Sequence, residues 1–266
     1  MIELTVGLPM FRSEKIAHLA FESLCNQKNI DFEWELLIME ESEERFGPDR
    51  VREYAARLEE IGCKRIVYKP LDQWIPLSFK WKFLGGMSSD SKCFLIQAHD
   101  CYSQPYRLKE TYDIFNSDPS VDWVNSPLGC FYHIEAEQMV RFNQGLYQHP
   151  CALNMAMRTE YTKQLPAQQV PSSVDSWLFR SCTAIKGSDL VVRNNDSENW
   201  KKGVDVHGLN KISIDRGKMI VDVEVPFEKT DITLDELVPE YIAKFIRSKK
   251  ESVADNKMIY HQMGVM

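Results

Sequence analysis

Strand-length apolar runs at residues 2–8, 34–39, 65–68 and 93–96 are separated by helix-length segments, so four strands alternate with helices within the first hundred residues. Repetition of this kind folds as right-handed crossover units and therefore as a mostly parallel sheet. The second run, W-E-L-L-I-M, is almost wholly apolar, as a parallel strand covered on both faces must be. The expected fold class is α/β, a mostly parallel sheet flanked by helices. It has a Rossmann-like, nucleotide-binding character, although it lacks both the G-x-G-x-x-G fingerprint and a P-loop lysine motif.

Ligands of open α/β sheets sit in the crevice beyond the carboxyl ends of the strands. The first strand is expected to stop at Pro9, and Ser13 to cap a helix whose buried face holds Ile16, Leu19, Ala20 and Leu24. The second strand runs into Glu40, Glu41, Ser42, Glu43 and Glu44, which are either a solvated loop or a set of carboxylates at the mouth. The segments 48–60 and 76–88 read as helices, the second carrying Lys80 and Lys82. The fourth strand leads through Gln97 and Ala98 to His99 and Asp100, then to a turn closed by Pro105. Asp100 either shapes that turn or places a carboxylate where ligands bind.

Composition sets outer bounds. At 266 residues with 44% hydrophobic content the chain can bury a sizeable core as one domain. A net charge of −7 argues against a broad nucleic-acid surface. No apolar run reaches the roughly 20 residues of a membrane span, and the first residues enter a strand pattern directly, so a soluble, cytoplasmic protein is expected. The seven cysteines are scattered without a C-x-x-C pair, which fits reduced, packed thiols.

Further along, residues 106–115 read as a helix, 123–126 as a strand, and 129–150 as an aromatic-rich connection that could cover a site or form a satellite core. A strand at 189–193, a polar loop at 194–203, a strand at 219–225 and an amphipathic helix at 234–247 follow, then a charged tail from 249 expected to order only against a partner or a second copy. One domain is expected, made of a nucleotide-binding half (1–115), an acceptor and catalytic half (116–248) and the tail (249–266).

Several of these stretches resemble family 2 glycosyltransferases. L-T-V-G-L-P-M-F-R-S-E-K (4–15), L-C-N-Q (24–27) and E-L-L-I-M-E-E-S (35–42) are similar to the family's V-x-x-P-x-Y-N, S-L-x-x-Q and V-D-D-G-S. F-L-I-Q-A-H-D-C-Y-S-Q-P-Y-R-L (94–108) resembles the D-x-D segment, C-A-L-N-M-A-M-R-T-E-Y (151–161) the donor-sugar segment, and V-P-S-S-V-D-S-W-L-F-R (170–180) the x-E-D-x-x-L-x-x-R segment.

The resemblance implies a GT-A fold with a variable carboxyl-terminal acceptor portion, a nucleotide-sugar donor, here a UDP-sugar, and a divalent metal, Mn²⁺ or Mg²⁺. It implies nucleoside contacts at Glu40 and Glu41 and base-edging backbone at Leu8 and Pro9. It places Lys80 and Lys82 near the donor phosphates, and Asp100 as metal ligand with His207 as a late second ligand. Asp175, on the base-bearing segment, would be the general base of an inverting transfer, or simply the cap of its helix. Departures are plain: Gln97, Ala98 and His99 stand where acidic residues are common, Val174 replaces a Glu, and His99 is either packed or a donor-site or metal contact. The acceptor is open among a glycan, a lipid-linked glycan, a protein and a modified nucleic-acid base. Two other functions remain open, a non-catalytic nucleotide- or glycan-binding module and a nucleotidyltransferase.

Overall fold

The computed structural model describes residues 1–41, 44–125, 130–134, 136–142, 155–170, 174–194, 204–207 and 227–250, and for 141–142, 194, 204–207 and 227–229 the backbone alone. A seven-stranded sheet carries β1 (Leu4–Phe11), β2 (Trp34–Glu41), β3 (Cys63–Leu71), β4 (Cys93–Ile96), β6 (Trp123–Asn125), β9 (Met155–Arg158) and β10 (Val192–Asn194), in the order β10-β6-β9-β4-β1-β2-β3. The pairs β1–β2, β1–β4, β2–β3 and β6–β10 are parallel, and β9 runs antiparallel between β4 and β6. The mostly parallel α/β architecture expected from the alternation is therefore present.

Strand alternation sorts the core. Leu4, Val6, Leu8 and Met10 face one side with Trp34, Leu36 and Ile38, against α1 (His18–Cys25), α2 (Gly47–Glu60) and α4 (Arg107–Ser117). Leu37, Met39, Phe94 and Ile96 face the other side, against α3 (Leu77–Met87), α5 (Thr159–Gln164) and α6 (Val174–Lys186). A second sheet, absent from the sequence reading, contains β5 (Cys101–Tyr102), β7 (Cys130–His133), β8 (Gln138–Phe142), β11 (Val204–His207) and β12 (Phe227–Lys229), in the order β12-β8-β7-β11-β5. Tyr102, Cys130, Tyr132 and Met139 cover α1 together with α7 (Leu234–Leu237) and α8 (Glu240–Ser248). Among the described residues no helix is long and apolar enough to cross a membrane.

Four expectations change. β1 does not stop at Pro9 but runs to Phe11. Gly7 turns its carbonyl to the β4 side, where it accepts from the Gln97 N–H, and pairing with β4 ends at Gly7–Ile96. Pro9 has the same parity, so its missing N–H falls where that ladder has already ended. Ser13 does not cap α1, because its hydroxyl is given to Glu40. The helix expected over 234–247 is two, since Val238 is held extended ahead of Pro239 and the chain restarts there. The strand expected at 189–193 is the shorter β10. The aromatic connection holds β7 and β8, while its residues 126–129, 135 and 143–150 lie outside the described residues, as do the segments 195–203, 219–225 and 251–266.

The position of α3 depends on one close approach. A Cβ on Gly85 would sit 2.3 Å from the Thr162 carbonyl oxygen of α5, whereas one on the neighbouring Gly86 would meet nothing within 4 Å. Gly85→Ala is expected to destabilise the protein by about 1–3 kcal/mol. Gly86→Ala is expected to leave it unchanged or raise it by roughly 0.5–1 kcal/mol. Urea unfolding of the two variants checks the contrast.

Candidate active site

The carboxyl ends of β1, β2 and β4 meet at one rim. Glu40 and Glu41 belong to β2 rather than to a loop, and both are sealed from solvent at 0% and 1% exposure. The solvated-loop reading fails for these two because donors from five segments meet them. Glu40 Oε1 accepts from the Ser13 hydroxyl and from the Phe46 N–H at 2.8 Å. Its Oε2 accepts from the Gly47 N–H at 3.0 Å and the Tyr68 hydroxyl at 2.5 Å. Burial, and then the Glu40 carboxylate beside it, push the Tyr68 phenol above its ordinary value. Ser42 and Glu43 lie outside the described residues.

Glu41 pairs with Lys80. Its Oε1 lies 2.7 Å from Lys80 Nζ and its Oε2 accepts the Ile75 N–H at 2.9 Å. Lys80 also donates to the Met10 carbonyl at 2.9 Å and lies over the Phe11 ring. Burial lowers the Lys80 pKa while Glu41 opposes the shift. Lys82 projects elsewhere on α3, giving its ammonium to the Leu165 carbonyl at 2.6 Å after α5, so it does not stand with Lys80. Leu8 and Pro9 are strand residues with buried side chains, not a loop, so their backbone is what they can offer a ligand.

The β4 end is shaped by a network that sequence reading missed. Gln97, fully buried, donates to the carbonyls of Ala98 and Cys101 and accepts from Ser103 and from Arg107. Arg107, 2% exposed, also donates to the Ile96 carbonyl at 2.6 Å and to the Ser103 hydroxyl at 2.7 Å. Its place as the first residue of α4 was the available signal, because a cation at a helix amino terminus opposes the dipole and needs a specific partner. The network folds 97–103 so that Asp100 stands partly exposed at the rim, with the Cys101 thiol 3.8 Å from Oδ1. His99 Nε2 is buried without a hydrogen-bond partner among the described residues.

β11 pairs antiparallel with β5, Asp205 opposite Cys101, and therefore runs from Val204 back toward the Asp100 end of the turn. His207 lies at that end of β11, with His133 as its partner on β7. Asp175 is in the first turn of α6, inside the helix rather than before it. A bridge ties this helix to the rim: Gln168 accepts from Trp177 Nε1 through its side chain and from the Ser78 hydroxyl through its carbonyl, joining the first turns of α6 and α3.

No protein-family model matches the chain. No curated protein matches it in sequence. Solved structures do match in fold. TarS of S. aureus superposes with a TM-score of 0.58 at 13% identity over 96% of this chain and 45% of its own. Its 1–349 fragment gives 0.57 at 12% identity over 95% of this chain and 71% of the fragment. The mannosyltransferase PcManGT from Pyrobaculum calidifontis, in complex with GDP-Man and Mn²⁺, gives 0.55 at 11% identity over 98% and 75%. This chain thus spans less than half of TarS. It has the GT-A fold, as its sequence resemblance implied.

Among the described residues no three His, Cys, Asp or Glu side chains are placed to enclose a metal ion. The β4 end nevertheless offers a partly exposed carboxylate at Asp100 and an imidazole nitrogen at His99 without a hydrogen-bond partner, a mixed oxygen and nitrogen set that suits Mn²⁺ better than Mg²⁺.

Lys80→Met is expected to cost about 3–5 kcal/mol, because it leaves the Glu41 carboxylate buried without its cation. Adding Glu41→Gln is expected to restore most of the loss, which denaturant unfolding of the single and double variants measures.

Proposed function

We propose that the chain is a glycosyltransferase that moves a sugar from a nucleotide-sugar, with UDP as the carrier, to an acceptor hydroxyl with inversion at the anomeric carbon. The observation that carries the reading is the GT-A rim itself: Asp100 partly exposed at the end of β4, beside the sealed Glu41–Lys80 pair at the ends of β1 and β2. Other GT-A proteins have been solved with such ligands, TarS 1–349 with UDP and with UDP-GlcNAc and PcManGT with GDP-Man and Mn²⁺.

In this reading Asp100, with His99 or His207, holds a divalent cation. When bound, that cation supplies positive charge for the departing diphosphate. The backbone of Leu8 and Pro9 borders the nucleoside. Glu40 and Glu41 act from behind, fixing the β1–α1 turn, the start of α2 and Lys80, and Lys80 adds positive potential near the phosphates. Asp175 takes the proton from the acceptor hydroxyl as that oxygen attacks the anomeric carbon from the face opposite the diphosphate. The acceptor enters from the side of α6 and the second sheet. A glycan, a lipid-linked glycan, a protein or a modified base all present the hydroxyl this chemistry needs, and the protein works in the cytoplasm. A non-catalytic nucleotide-binding role is the second reading, favoured by the absence of any carboxylate at 97–99.

Melting the protein with UDP-, GDP-, CMP- and TDP-sugars, with and without Mn²⁺, tests the donor site. The largest rise is expected for a UDP-sugar with Mn²⁺, worth about 2.7 kcal/mol at a hundredfold excess over Kd. No shift with any nucleotide and metal would refute the reading. Asp100→Asn is expected to keep the fold and lose the metal-dependent part of the shift. Asp175→Asn is expected to keep donor binding and cut turnover by roughly 10²–10⁴-fold. Near-normal turnover would remove Asp175 as the base, and binding without turnover in the unaltered protein would favour the second reading.

A further inference from the structure

Trp74 is 61% exposed, the largest side chain among the exposed hydrophobics of the described residues. It lies in the connection 72–76 between β3 and α3, and that connection is pinned on both sides. The Leu71 carbonyl accepts from the Arg45 guanidinium, the Ile75 N–H is held by Glu41 Oε2 at 2.9 Å, and Pro76 starts α3 by accepting from the N–H groups of Phe79 and Lys80. A floppy surface loop would explain an exposed indole without further cause. A connection whose backbone is fastened to a buried ion pair instead keeps Trp74 at the β3 end of the rim, where its indole is exposed to water.

Spacing along the rim says what that ligand is, on the donor-site reading proposed above. From β4 to β3 the sheet order is β4-β1-β2-β3, three strand steps, or about 14 Å at ~4.8 Å each. From the β-phosphorus of a nucleoside diphosphate to the centre of its base there are about nine bonds of ~1.5 Å, roughly 11–12 Å when extended. A diphosphate at Asp100 thus has the reach to set the base toward the β2–β3 end of the rim, on the side of the connection that carries Trp74. Glu40 itself cannot read the edge of the base, because both its oxygens accept from protein donors and the side chain is sealed.

We propose that Trp74 is the stacking platform for the donor's nucleobase. Stacking is indifferent to base identity, since every base has a π face. The Trp74 contact therefore contributes alike to uracil and guanine, and the preference for UDP is set by other groups.

Calorimetric titration of the full chain in Mn²⁺ with UDP, GDP and inorganic pyrophosphate, using the unaltered protein, Trp74→Ala and Trp74→Phe, tests this. Trp74→Ala is expected to weaken UDP and GDP alike, by roughly 5- to 150-fold, Trp74→Phe to keep most of the affinity, and pyrophosphate to bind all three proteins equally. Unchanged UDP binding by Trp74→Ala would overturn the proposal while leaving the donor site standing. Equal weakening of pyrophosphate would overturn it too, by showing that the loop and not the ring matters, and so would a loss confined to one nucleotide. If the unaltered protein binds neither nucleotide, the donor-site reading falls and this inference with it.

Discussion

A carboxylate removed from water must be met by donors on every lone pair it keeps, and Glu40 is met from the β1–α1 turn, the start of α2 and β3 at once. Isolated, such a charge would cost several kcal/mol to bury. Answered in this way it ties three segments to the end of β2. Glu41 does the same one residue on, drawing Lys80 of α3 and the backbone of Ile75 to the same edge. The rim of the sheet is therefore tied by two adjacent buried acids in addition to the apolar packing that reaches it at Met10, Met39 and Phe46.

The far side of the rim is built from a different kind of interaction. Gln97, Ser103 and Arg107 form a neutral and cationic network around the turn that carries Asp100. A network of this composition leaves the one carboxylate of the turn partly exposed and places positive charge behind it. That arrangement explains how a turn with a single acid is still organised from within, by side chains that lie behind it.

The alternation of strands and helices was legible because each element announces itself within its own length, through period and through residues such as Pro48 and Asp49 in the first turn of α2. Burial of Glu40 and Glu41 was not legible. A run of acids reads as a loop until the donors are known, and these come from residues up to 40 positions away, as with Lys80 and Glu41. The second sheet escaped for a similar reason. Its strands are two to five residues long, too short to show a period, and β5, β11 and β12 pair only with partners far away in the chain. The separation of α7 from α8 was present in the sequence as Pro239, and the amphipathic pattern running across it concealed the break. Trp74 was unremarked because a lone aromatic in a polar connection carries no pattern, and only its fixed exposure gives it meaning.

The two-residue strand β5 has a consequence for the order in which the protein is made. The strands β1 to β4 close on one another over short crossovers within the first hundred residues. The turn that bears Asp100, however, continues into β5, whose described pairing is with β11, about a hundred positions away. Contacts of that separation carry a large loop-closure cost and form late. A nascent chain can thus pair β1 to β4 well before the Asp100 turn is finished. That turn gains its β11 partner only when residues 204–207 have been made, so the β4 end of the rim is a product of the later chain and not of its first half.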